Sequence, residues 1–475
     1  MRTKIIATLG PASMEKSVMR AMVDHGVRIF RLNFSHADAE YFRPIIQTIR
    51  EIEVEVGFAL TVMGDLCGPK IRIGRVEGSP RQVAKGEIVC LGLPQMRDSA
   101  PEGQLFIELG VPELLIGLSV GEPTFLSDGM LQFTITRVLE QDKLYQMEAH
   151  NAALLTSSKG IAFPEKVHPM PALTDKDRKD LVEALAIGVD ALALSFVQTR
   201  DDIDEAKELI RRAGHWVPVV AKLERKRAVD NVESIVTAAD AVMVARGDLG
   251  VECSLMTLPV VQKRIIRACR HQQKAVIVAT QMMLSMVKNP VPTRAEAADV
   301  ANAVLDGADC VMLSEETAIG NYPVETCRFI QGIASNAEEY YLERQGEPLK
   351  PSKQRNIVKY MAYSACLVAE QAESKALVAH SASGSTARLL SSRRPRQTIY
   401  ALTPDQRVIR WLNFFWGVKP CAVDPRIENH TERALEFVRA CGEFAPGDSV
   451  VITSGQAMPP GQTEIKTNTI RLFYK

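Results

Sequence analysis

The sequence has few aromatic residues and no excess of charge of either sign. Aromatic side chains make up 6% of the 475 residues, which argues against a surface that stacks nucleic-acid bases or sugar rings. Lysine plus arginine and aspartate plus glutamate number 57 each, so the formal net charge is zero. The charge balance therefore favours neither nucleic acid nor an anionic membrane surface as a partner.

Closely spaced cysteine pairs and long apolar runs are also missing. The nine cysteines lie scattered between Cys67 and Cys441, which signals neither a disulfide framework nor a zinc site. The first apolar run breaks at Gly10 and Pro11, too early for a signal peptide, and no later run reaches the roughly 18 residues of a membrane-spanning helix. These features predict a protein of the reducing cytoplasm without a membrane partner.

Short apolar runs, each followed by a helical pattern, recur along most of the chain. Eight of them stand out: Lys4 to Thr8, Arg28 to Asn33, Ala59 to Gly64, Ala191 to Leu194, Val217 to Ala221, Ala241 to Val244, Ala275 to Ala279 and Cys310 to Leu313. Most follow one another at about 25 to 35 residues, the length of a strand, a crossover helix and two loops. The pattern predicts an α/β fold, a (β/α)8 barrel of parallel strands.

The alternation of apolar runs and helical segments is interrupted once, by an insertion, and gives way to a different spacing near the C-terminus. The sequence therefore suggests about three domains. Between the third and fourth runs, β-type runs at Gly86 to Cys90 and Leu131 to Thr136 predict an inserted all-β lid domain. Later runs at Ala376 to Ala379, Thr398 to Leu402, Val450 to Thr453 and Thr469 to Phe473 predict a C-terminal open α/β domain. The predicted bounds are 1–68 and 169–340 for the barrel, 69–168 for the lid and 341–475 for the C-terminal domain.

Polar residues collect where the eight runs end, which is where a parallel barrel carries its reactive groups. They are Thr8, Asn33, Asp65, Ser195, Lys222, Glu224, Arg246, Asp248, Thr280, Ser314 and Glu316. Ordinary loops would rarely collect this set by chance. For Thr8 or Ser195 alone, however, a plain loop start is the favoured interpretation.

The segment from residue 30 to residue 36 has a polar face. On an extended strand, Arg31, Asn33 and Ser35 point to the same side. A guanidinium facing a barrel interior needs an anion, and its planar shape favours phosphate or carboxylate. A solvated polar face is the alternative.

Two acids, Glu224 and Asp248, follow neighbouring strands without an accompanying histidine or cysteine. Such a pair suits Mg²⁺ better than zinc, with substrate oxygens and water completing the shell. Lys222 lies on the same side as Glu224, where its ammonium could offset charge on a transferring group. A surface Lys–Glu pair is the alternative. Gly247 leaves the amides near Asp248 open to a carboxylate.

Three other patterns leave two interpretations open. Asp65 and Arg72 flank the entry to the inserted domain, but this pairing is a weak signal alone. Thr280 either relays a proton or caps a following helix. Ser314 and Glu316 either take part in the chemistry or form a helix-capping sequence.

Taken together, the motifs closely resemble those of the pyruvate kinase family. They are Thr3 to Ser13, Arg31 to His36, Asp65 to Arg72, Lys222 to Glu224, Met243 to Glu252, Ala279 to Met282 and Met312 to Thr317. The likeness runs from the first residue into the last strand. It implies the same barrel, lid and C-terminal domain, and transfer of the phosphoryl group of phosphoenolpyruvate to ADP, giving pyruvate and ATP.

The resemblance also implies roles for individual residues. Glu224 and Asp248 would hold Mg²⁺, Lys222 would stabilise the phosphoryl group in flight, and Arg31 would contact phosphate. The substrate carboxylate would bind at Gly247, Asp248 and Thr280, and a relay of Thr280, Ser314 and Glu316 would protonate the enolate. Nucleotide contacts would fall to Asn33, His36, Tyr41, Arg72 and Lys159, with Arg72 also counted among the catalytic residues.

The sequence departs from the family pattern at several positions. The monovalent-cation site would comprise Asn33, Ser35, Asp65 and the Leu66 carbonyl, but Lys70 stands where potassium-dependent relatives resemble one another in having glutamate. An ammonium there could do the electrostatic work of K⁺, so we expect K⁺ to be dispensable. Other departures are Ala37, Ala162, Glu315 and Ile319, and they bear on the nucleotide contacts.

The loop from Ser381 to Thr386 follows a predicted strand of the C-terminal domain. It is similar to the family's phosphate loop for sugar-phosphate effectors, formed here by Ser381, Ser383, Gly384, Ser385 and Thr386. The resemblance thus predicts a phosphorylated metabolite as effector, and a homotetramer. A plain turn is the alternative for the loop. A Mg²⁺-dependent pyruvate aldolase and a non-enzymatic metabolite sensor on the same scaffold remain the rival functions.

Overall fold

The chain begins with the first three strands of a parallel barrel. The computed structural model describes residues 1–69, 71–127, 129–164, 166, 170–351, 356–424, 426–427, 429–454 and 468–475. The first elements are β1 (Lys4–Thr8), α1 (Lys16–Asp24), β2 (Val27–Asn33), α2 (Ala39–Val56) and β3 (Thr61–Asp65). Each strand is followed by a helix or by the inserted domain, as the sequence predicts.

An all-β region follows β3. Its strands are β4 (Arg81–Val83), β5 (Ile88–Gly92), β6 (Phe106–Glu108), β7 (Pro123–Leu126), β8 (Leu131–Glu140), β9 (Leu144–Ala149), β10 (Ala153–Leu155) and β11 (Ile161–Ala162). Short 3₁₀ helices occupy Pro94–Ser99 and Pro112–Leu114. Six strands pair in the order β11-β7-β8-β9-β5-β6 around a separate apolar core. Asp65 therefore ends a barrel strand at the entrance to a second domain. The predicted end of the lid, His168, lies outside the described residues.

The remaining strands close the barrel. In chain order the elements are α3 (Asp175–Ile187), β12 (Ala191–Leu194), α4 (Arg200–Arg212), β13 (Val219–Leu223), α5 (Lys226–Asp230), α6 (Val232–Ala238), β14 (Ala241–Ala245), α7 (Arg246–Glu252), α8 (Leu258–His271), β15 (Ala275–Ala279), a 3₁₀ helix (Leu284–Val287), α9 (Arg294–Asp306), β16 (Cys310–Leu313), α10 (Glu315–Ala318) and α11 (Pro323–Arg344). The closed order is β1-β16-β15-β14-β13-β12-β3-β2. The predicted fold class is confirmed, and the predicted domain boundary at residue 340 falls inside α11.

Local signals place the barrel helices. Capping boxes begin α3 at Thr174 and α9 at Thr293. In each box the threonine side chain accepts from the backbone N–H of the third helical residue, and the carboxylate of that residue accepts from the backbone N–H of the threonine. Gly188 and Gly307 end these helices in the left-handed conformation that glycine adopts most easily. Each glycine lies three residues before the strand that follows it, β12 or β16.

The C-terminal domain is an open α/β sheet. Its elements are α12 (Ile357–Gln371), β17 (Ala376–His380), α13 (Ser385–Ser391), β18 (Thr398–Thr403), α14 (Gln406–Leu412), β19 (Val418–Ala422), α15 (His430–Ala440), β20 (Ser449–Ser454) and β21 (Thr469–Tyr474), with the strands ordered β19-β18-β17-β20-β21. The strand β19 is absent from the predicted set. It is a partly exposed edge strand that contains Pro420, a composition that weakens the strand signal.

The C-terminal domain covers the N-terminal end of the barrel. Asn413 Nδ2 donates to the carbonyl of Ala59, and Cys310 Sγ donates to the carbonyl of Phe414. Because this domain covers the bottom of the barrel, the opposite, C-terminal end is the one left for chemistry. None of the described helices combines the length and apolar character that a membrane crossing requires.

Candidate functional site

Lys222 is the centre of a buried cluster of charged and polar side chains. Its ammonium Nζ lies 3.1 Å from Asp65 Oδ1, 3.0 Å from Glu224 Oε1 and 2.6 Å from Ser195 Oγ. These three acceptors match the three N–H bonds of the ammonium. The strands β3, β12 and β13 are neighbours in the barrel, so their C-terminal ends bring these side chains together.

Arg31 extends the cluster across β2 and β1. Its Nε donates to Asp65 Oδ2 at 2.6 Å, and its Nη1 donates to Thr8 Oγ1 at 3.0 Å. Burial alone would raise the pKa of Asp65, but Lys222 and Arg31 outweigh it and hold the pKa below its usual value. Burial would likewise lower the pKa of Lys222, but Asp65 and Glu224 raise it above its ordinary value. All four groups are therefore arranged to keep Lys222 and Asp65 charged.

Ser195 fixes the position of the Lys222 ammonium. Besides accepting from Lys222, its hydroxyl donates to the carbonyl of Leu66 at 2.7 Å. Gly68, at φ +67°, packs directly on it, since a Cβ there would lie 2.8 Å from the Ser195 Cβ. The sequence favoured a plain loop start for Ser195 and for Thr8, yet both touch the charged cluster. Their position at strand ends was the only signal that could have found them.

Glu224 and Asp248 form the acidic side of the site. Glu224 is buried, and its Oε2 accepts from the backbone N–H of Phe196 at 2.7 Å. Burial raises the pKa of Glu224, the ammonium of Lys222 opposes this, and the neighbouring Asp248 raises it further. Two carboxylates that repel each other in a buried place can be stabilised by a cation with open coordination positions. In the described part of the chain, no cluster of three or more acidic, histidine or cysteine side chains could hold a metal ion.

The inserted domain lies over these acids. A cleft is lined on the barrel side by Glu224 and Asp248 and on the lid side by Phe125 and Ile161. Phe196 also lines this cleft, with the guanidinium of Arg225 stacked 4.9 Å from its ring centre. The departure Ala162 lies in the same cleft wall. Apolar side chains from two domains thus enclose the acidic pair and limit the access of water.

A left-handed turn presents Thr280 beside Gly247. Thr280 and Gln281 have φ angles of +67° and +55°, which are strained for residues other than glycine. Thr280 Oγ1 accepts from the N–H of Gly247 at 2.8 Å, and Arg246 Nη2 donates to the Thr280 carbonyl at 2.7 Å. Arg246 is held in turn by both oxygens of Asp299, at 2.8 and 2.7 Å. The alternative that Thr280 caps a helix is wrong, because no helix begins within three residues of it.

Glu316 is a buried anchor on the other side of that turn. Its Oε1 accepts from the N–H of Met283 at 3.1 Å, and its Oε2 accepts from the N–H of Ser314 at 2.7 Å. The side chain of Ser314 makes no capping bond to α10. Ser314 is nevertheless the N-cap residue of α10 and its N–H is bonded by Glu316, so the capping alternative is confirmed in position, although not in a bond from the serine side chain. Glu316 also links the ends of β15 and β16.

Comparison with known proteins identifies the family to which these residues belong. Residues 1–327 match the sequence profile of the pyruvate kinase barrel domain, and residues 359–473 match that of the pyruvate kinase alpha/beta domain. The chain belongs to the pyruvate kinase family. The family assignment made from the sequence motifs, and with it the phosphotransferase activity, is confirmed.

Curated relatives match over nearly the whole chain. The pyruvate kinase of Thermococcus litoralis is 36% identical over 484 residues, covering 99% of this chain and 98% of the relative. A pyruvate kinase of Mycobacterium tuberculosis is 38% identical over 477 residues, with the same coverage of both chains. The protein named Pyruvate kinase 2 of Synechocystis is 38% identical over 462 residues, covering 96% of this chain and 76% of the relative.

The residues expected to bind nucleotide lie in two groups. Near β2, Asn33 Oδ1 accepts from the N–H of Ser35 at 3.1 Å, His36 is exposed, and the Tyr41 hydroxyl donates to Met14 Sδ at 3.2 Å. In the inserted region, Arg72 and Lys159 are both exposed. Arg72 Nη1 donates to the carbonyl of Ser158 at 2.9 Å, and Arg72 pairs with Gly160 by a β-bridge. Of the departures near these groups, Ala37 is half-buried, and Glu315 and Ile319 are exposed.

Asp65 and Leu66, two of the residues expected to bind a monovalent cation, already have partners for their oxygens. Both Asp65 oxygens contact cationic side chains, and the Leu66 carbonyl accepts from Ser195. The Ser35 side chain is exposed. Lys70, the residue on which the expected K⁺ independence rests, lies outside the described residues.

The loop expected to bind an effector connects β17 to α13. Gly384, at φ +74°, is the residue before the helix, and a Cβ there would lie 3.0 Å from Leu412. The Ser381 hydroxyl accepts from the N–H of Thr386 at 3.3 Å, and both residues are buried. Ser383 and Ser385 are exposed. The loop is therefore folded back on itself, with two hydroxyls directed to its outer side.

Proposed function

We propose that this chain transfers the phosphoryl group of phosphoenolpyruvate to ADP at the Lys222 cluster. The observation that carries the proposal is the convergence of Lys222, Arg31, Asp65 and Glu224 at the C-terminal end of the barrel. Phosphoryl transfer requires positioned charge more than covalent chemistry, and this cluster supplies two fixed cations beside two acids.

Arg31 and Lys222 bind the phosphoryl group. Two of the partners of Lys222 are fixed by other bonds: Asp65 by Arg31, and Ser195 by the Leu66 carbonyl. The third N–H of the ammonium, which is directed at Glu224, is therefore the one that can turn to a phosphoryl oxygen. The planar guanidinium of Arg31 orients the phosphate before transfer. Lys222 then stays with the group as charge develops on its oxygens.

Glu224 and Asp248 are the residues that would hold Mg²⁺. Oxygen donors alone, a buried carboxylate with a raised pKa and a second carboxylate beside it fit this ion. When bound, Mg²⁺ would supply positive charge that offsets the negative charge of the substrate. The chain itself contributes the two acids and the Phe196 N–H that orients Glu224.

Gly247, Asp248 and Thr280 receive the substrate carboxylate, and Thr280 starts the proton relay. The strained turn aims the Thr280 hydroxyl at Gly247, where the first turn of α7 offers backbone N–H groups. Ser314 and Glu316 complete the relay at the end of β16. Glu316 is held in place for this role, because each of its oxygens accepts from a backbone N–H group.

The nucleotide binds between β2 and the lid. Asn33, His36 and Tyr41 supply one side, and the exposed cations Arg72 and Lys159 supply the other. Placing the lid cations over the phosphates would bring the two reactants together above Lys222. Closure of the lid also excludes water, which would otherwise hydrolyse the group in transfer.

The remaining expectations concern ions, effectors and assembly. Activity does not require K⁺, because the cations Arg31 and Lys222 already neutralise Asp65. The sequence places one more positive charge, Lys70, close to Asp65 along the chain. A phosphorylated metabolite acts at the loop from Ser381 to Thr386; unchanged phosphoenolpyruvate saturation across sugar phosphates and AMP would refute this. The functional form is a homotetramer, as the family likeness implies.

A coupled assay of pyruvate formation from phosphoenolpyruvate and ADP tests the proposal. We expect Lys222→Met to lower the rate about 100-fold or more, the usual cost of a lost transition-state charge contact. Lys179→Met, at a side chain 74% exposed on α3, is the matched control. Equal pyruvate rates in wild type and Lys222→Met would remove Lys222 from the mechanism.

A further inference from the structure

A second charged pair lies beside the two acids proposed to hold the metal ion. Arg225 directly follows Glu224 in the segment after β13, and Glu252 comes four residues after Asp248 on α7. Arg225 Nη1 donates to Glu252 Oε1 at 2.8 Å, and the two side chains are each only 7% exposed. This buried ion pair therefore joins the same two segments of the chain that carry the two acids.

The spacing on α7 places Asp248 and Glu252 on one face of the helix. Residues four apart on a helix are neighbours, one turn above the other. Both residues line the cleft beneath the inserted domain, as do Glu224 and Arg225. The ion pair thus crosses from the segment after β13 to α7 one helical turn away from the place where Glu224 and Asp248 approach each other.

Arg225 also contacts the residue that orients Glu224. Its guanidinium lies 4.9 Å from the centre of the Phe196 ring, the geometry of a cation–π contact. The backbone N–H of Phe196 donates to Glu224 Oε2 at 2.7 Å. Phe196 has a φ of +54°, which a bulky residue adopts only where its surroundings impose it. Arg225 stacked on the ring, and Gly68 packed against the ring atom Cδ2, are such surroundings.

The two acids repel each other when no cation lies between them. Asp248 raises the pKa of Glu224, so the two carboxylates are close enough for their charges to interact. This repulsion favours movement of α7 away from the end of β13. The ion pair between Arg225 and Glu252 opposes that movement, because its separation would leave two uncompensated charges in a buried place.

We propose that Arg225 and Glu252 are positioning residues that set the separation and orientation of Glu224 and Asp248 before a divalent cation binds. The ion pair fixes α7 against the segment after β13, and the stacking on Phe196 fixes the N–H that orients Glu224. The cation then meets ligands that are already ordered, which raises its affinity. This inference rests on the proposed function, in which Glu224 and Asp248 hold the metal ion.

Titration of the full chain with Mn²⁺, followed by electron paramagnetic resonance of the free ion without substrates, tests the proposal. The site in question is the one that Glu224→Gln removes. We expect Arg225→Met and Glu252→Gln each to raise its dissociation constant about 10-fold or more, the usual cost of losing a group that orients a metal ligand. Arg225→Lys keeps the charge that faces Glu252 and should recover part of this loss. The double variant should bind Mn²⁺ about as well as the weaker single variant, because the two residues act as a pair.

Arg394→Met is the matched control. Arg394 Nη1 lies 2.8 Å from Asp309 Oδ1, its side chain is 2% exposed, and its guanidinium lies 5.0 Å from the ring centre of Trp416. Asp309 precedes β16 and is therefore at the opposite end of the barrel from the two acids. The control loses an ion pair that is buried as deeply and stacked in the same way, yet should change the Mn²⁺ dissociation constant less than about twofold.

Three results would overturn the proposal. They are an unchanged dissociation constant in Arg225→Met or Glu252→Gln, equal weakening in Arg394→Met, and additive weakening in the double variant. If Arg225→Met fails to fold by circular dichroism, Glu252→Gln, which is close to isosteric, decides alone. The titration does not depend on turnover: unchanged Mn²⁺ binding in variants of a chain that forms pyruvate from phosphoenolpyruvate and ADP refutes this inference alone. The expected Mn²⁺ binding in a chain that forms no pyruvate refutes the proposed function instead.

Discussion

Removing the Ser195 hydroxyl should slow phosphoryl transfer without emptying the active site. In Ser195→Ala, Lys222 loses its shortest contact, the 2.6 Å bond to the serine oxygen, and the Leu66 carbonyl loses its 2.7 Å donor. The two carboxylate partners of Lys222 remain, so the ammonium stays charged but is no longer fixed from the third direction. The defect is therefore one of position.

The size of the effect follows from the kind of bond that is lost. A hydrogen bond to a charged group contributes about 1.5–3 kcal/mol, and a tenfold change in rate corresponds to about 1.4 kcal/mol. If the bond acts in the transition state, kcat falls between about 10-fold and about 150-fold. The KM for phosphoenolpyruvate should change much less, because the residues proposed to hold the substrate, Arg31 and those of the Thr280 turn, are unchanged.

Steady-state kinetics of Ser195→Ala with varied phosphoenolpyruvate measures this split. Ser234→Ala is a matched control, since that serine lies exposed on α6 and its hydroxyl donates only to the carbonyl of Asn231. Urea unfolding of both variants checks that the folded state is retained. A kcat for Ser195→Ala within threefold of wild type would refute the idea that Ser195 positions Lys222.

Other perturbations test the turn, the cation requirement and the C-terminal domain. Arg246→Met should lower kcat about 10-fold, because the strained Thr280 turn, which stores about 1–3 kcal/mol, loses its clamp; wild-type kinetics would contradict this. Adding K⁺ to an assay free of K⁺ and Na⁺ should leave the wild-type rate unchanged but activate Lys70→Glu, and large activation of wild type would reject K⁺ independence. Burial, with the nearby charge of His430 and Arg433, lowers the pKa of His380 to about 3. The folded state is therefore stabilised above about pH 6.5 and loses about 2 kcal/mol between about pH 6.5 and about pH 5; His380→Gln should flatten this slope in urea unfolding.

The barrel could be predicted from the sequence because parallel barrel strands are buried on both faces. β15, from Ala275 to Ala279, is entirely apolar and entirely buried, and it reads as an uninterrupted run. The edge strand β19 gives no such run, since Lys419 and Pro420 occupy it and one side faces solvent. Strand prediction thus succeeded where burial was complete and failed where a strand was half exposed.

Residue types at the site could be predicted, but their pairings could not. The end of each strand identified Lys222, Glu224 and Asp248, because the reactive groups of a parallel barrel gather there. The bond between Arg246 and Asp299 joins residues 53 positions apart and has no local pattern. The left-handed conformation of Thr280, a β-branched residue, contradicts local preference, and only the surrounding contacts impose it.

The charge of the site explains why a phosphoryl group and a dication should bind together. Arg31 and Lys222 lie beside Asp65 and Glu224, and Asp248 places a further carboxylate next to Glu224. A phosphate dianion that binds alone would be repelled by the Asp248 carboxylate. A dication that binds alone at Glu224 would be repelled by the ammonium of Lys222, which contacts the same carboxylate. Each ligand relieves the repulsion met by the other, so their binding free energies are coupled, and by linkage each must raise the affinity of the other by the same factor. The buried ion pairs of the cluster thus couple the binding of the phosphoryl group to the binding of the dication.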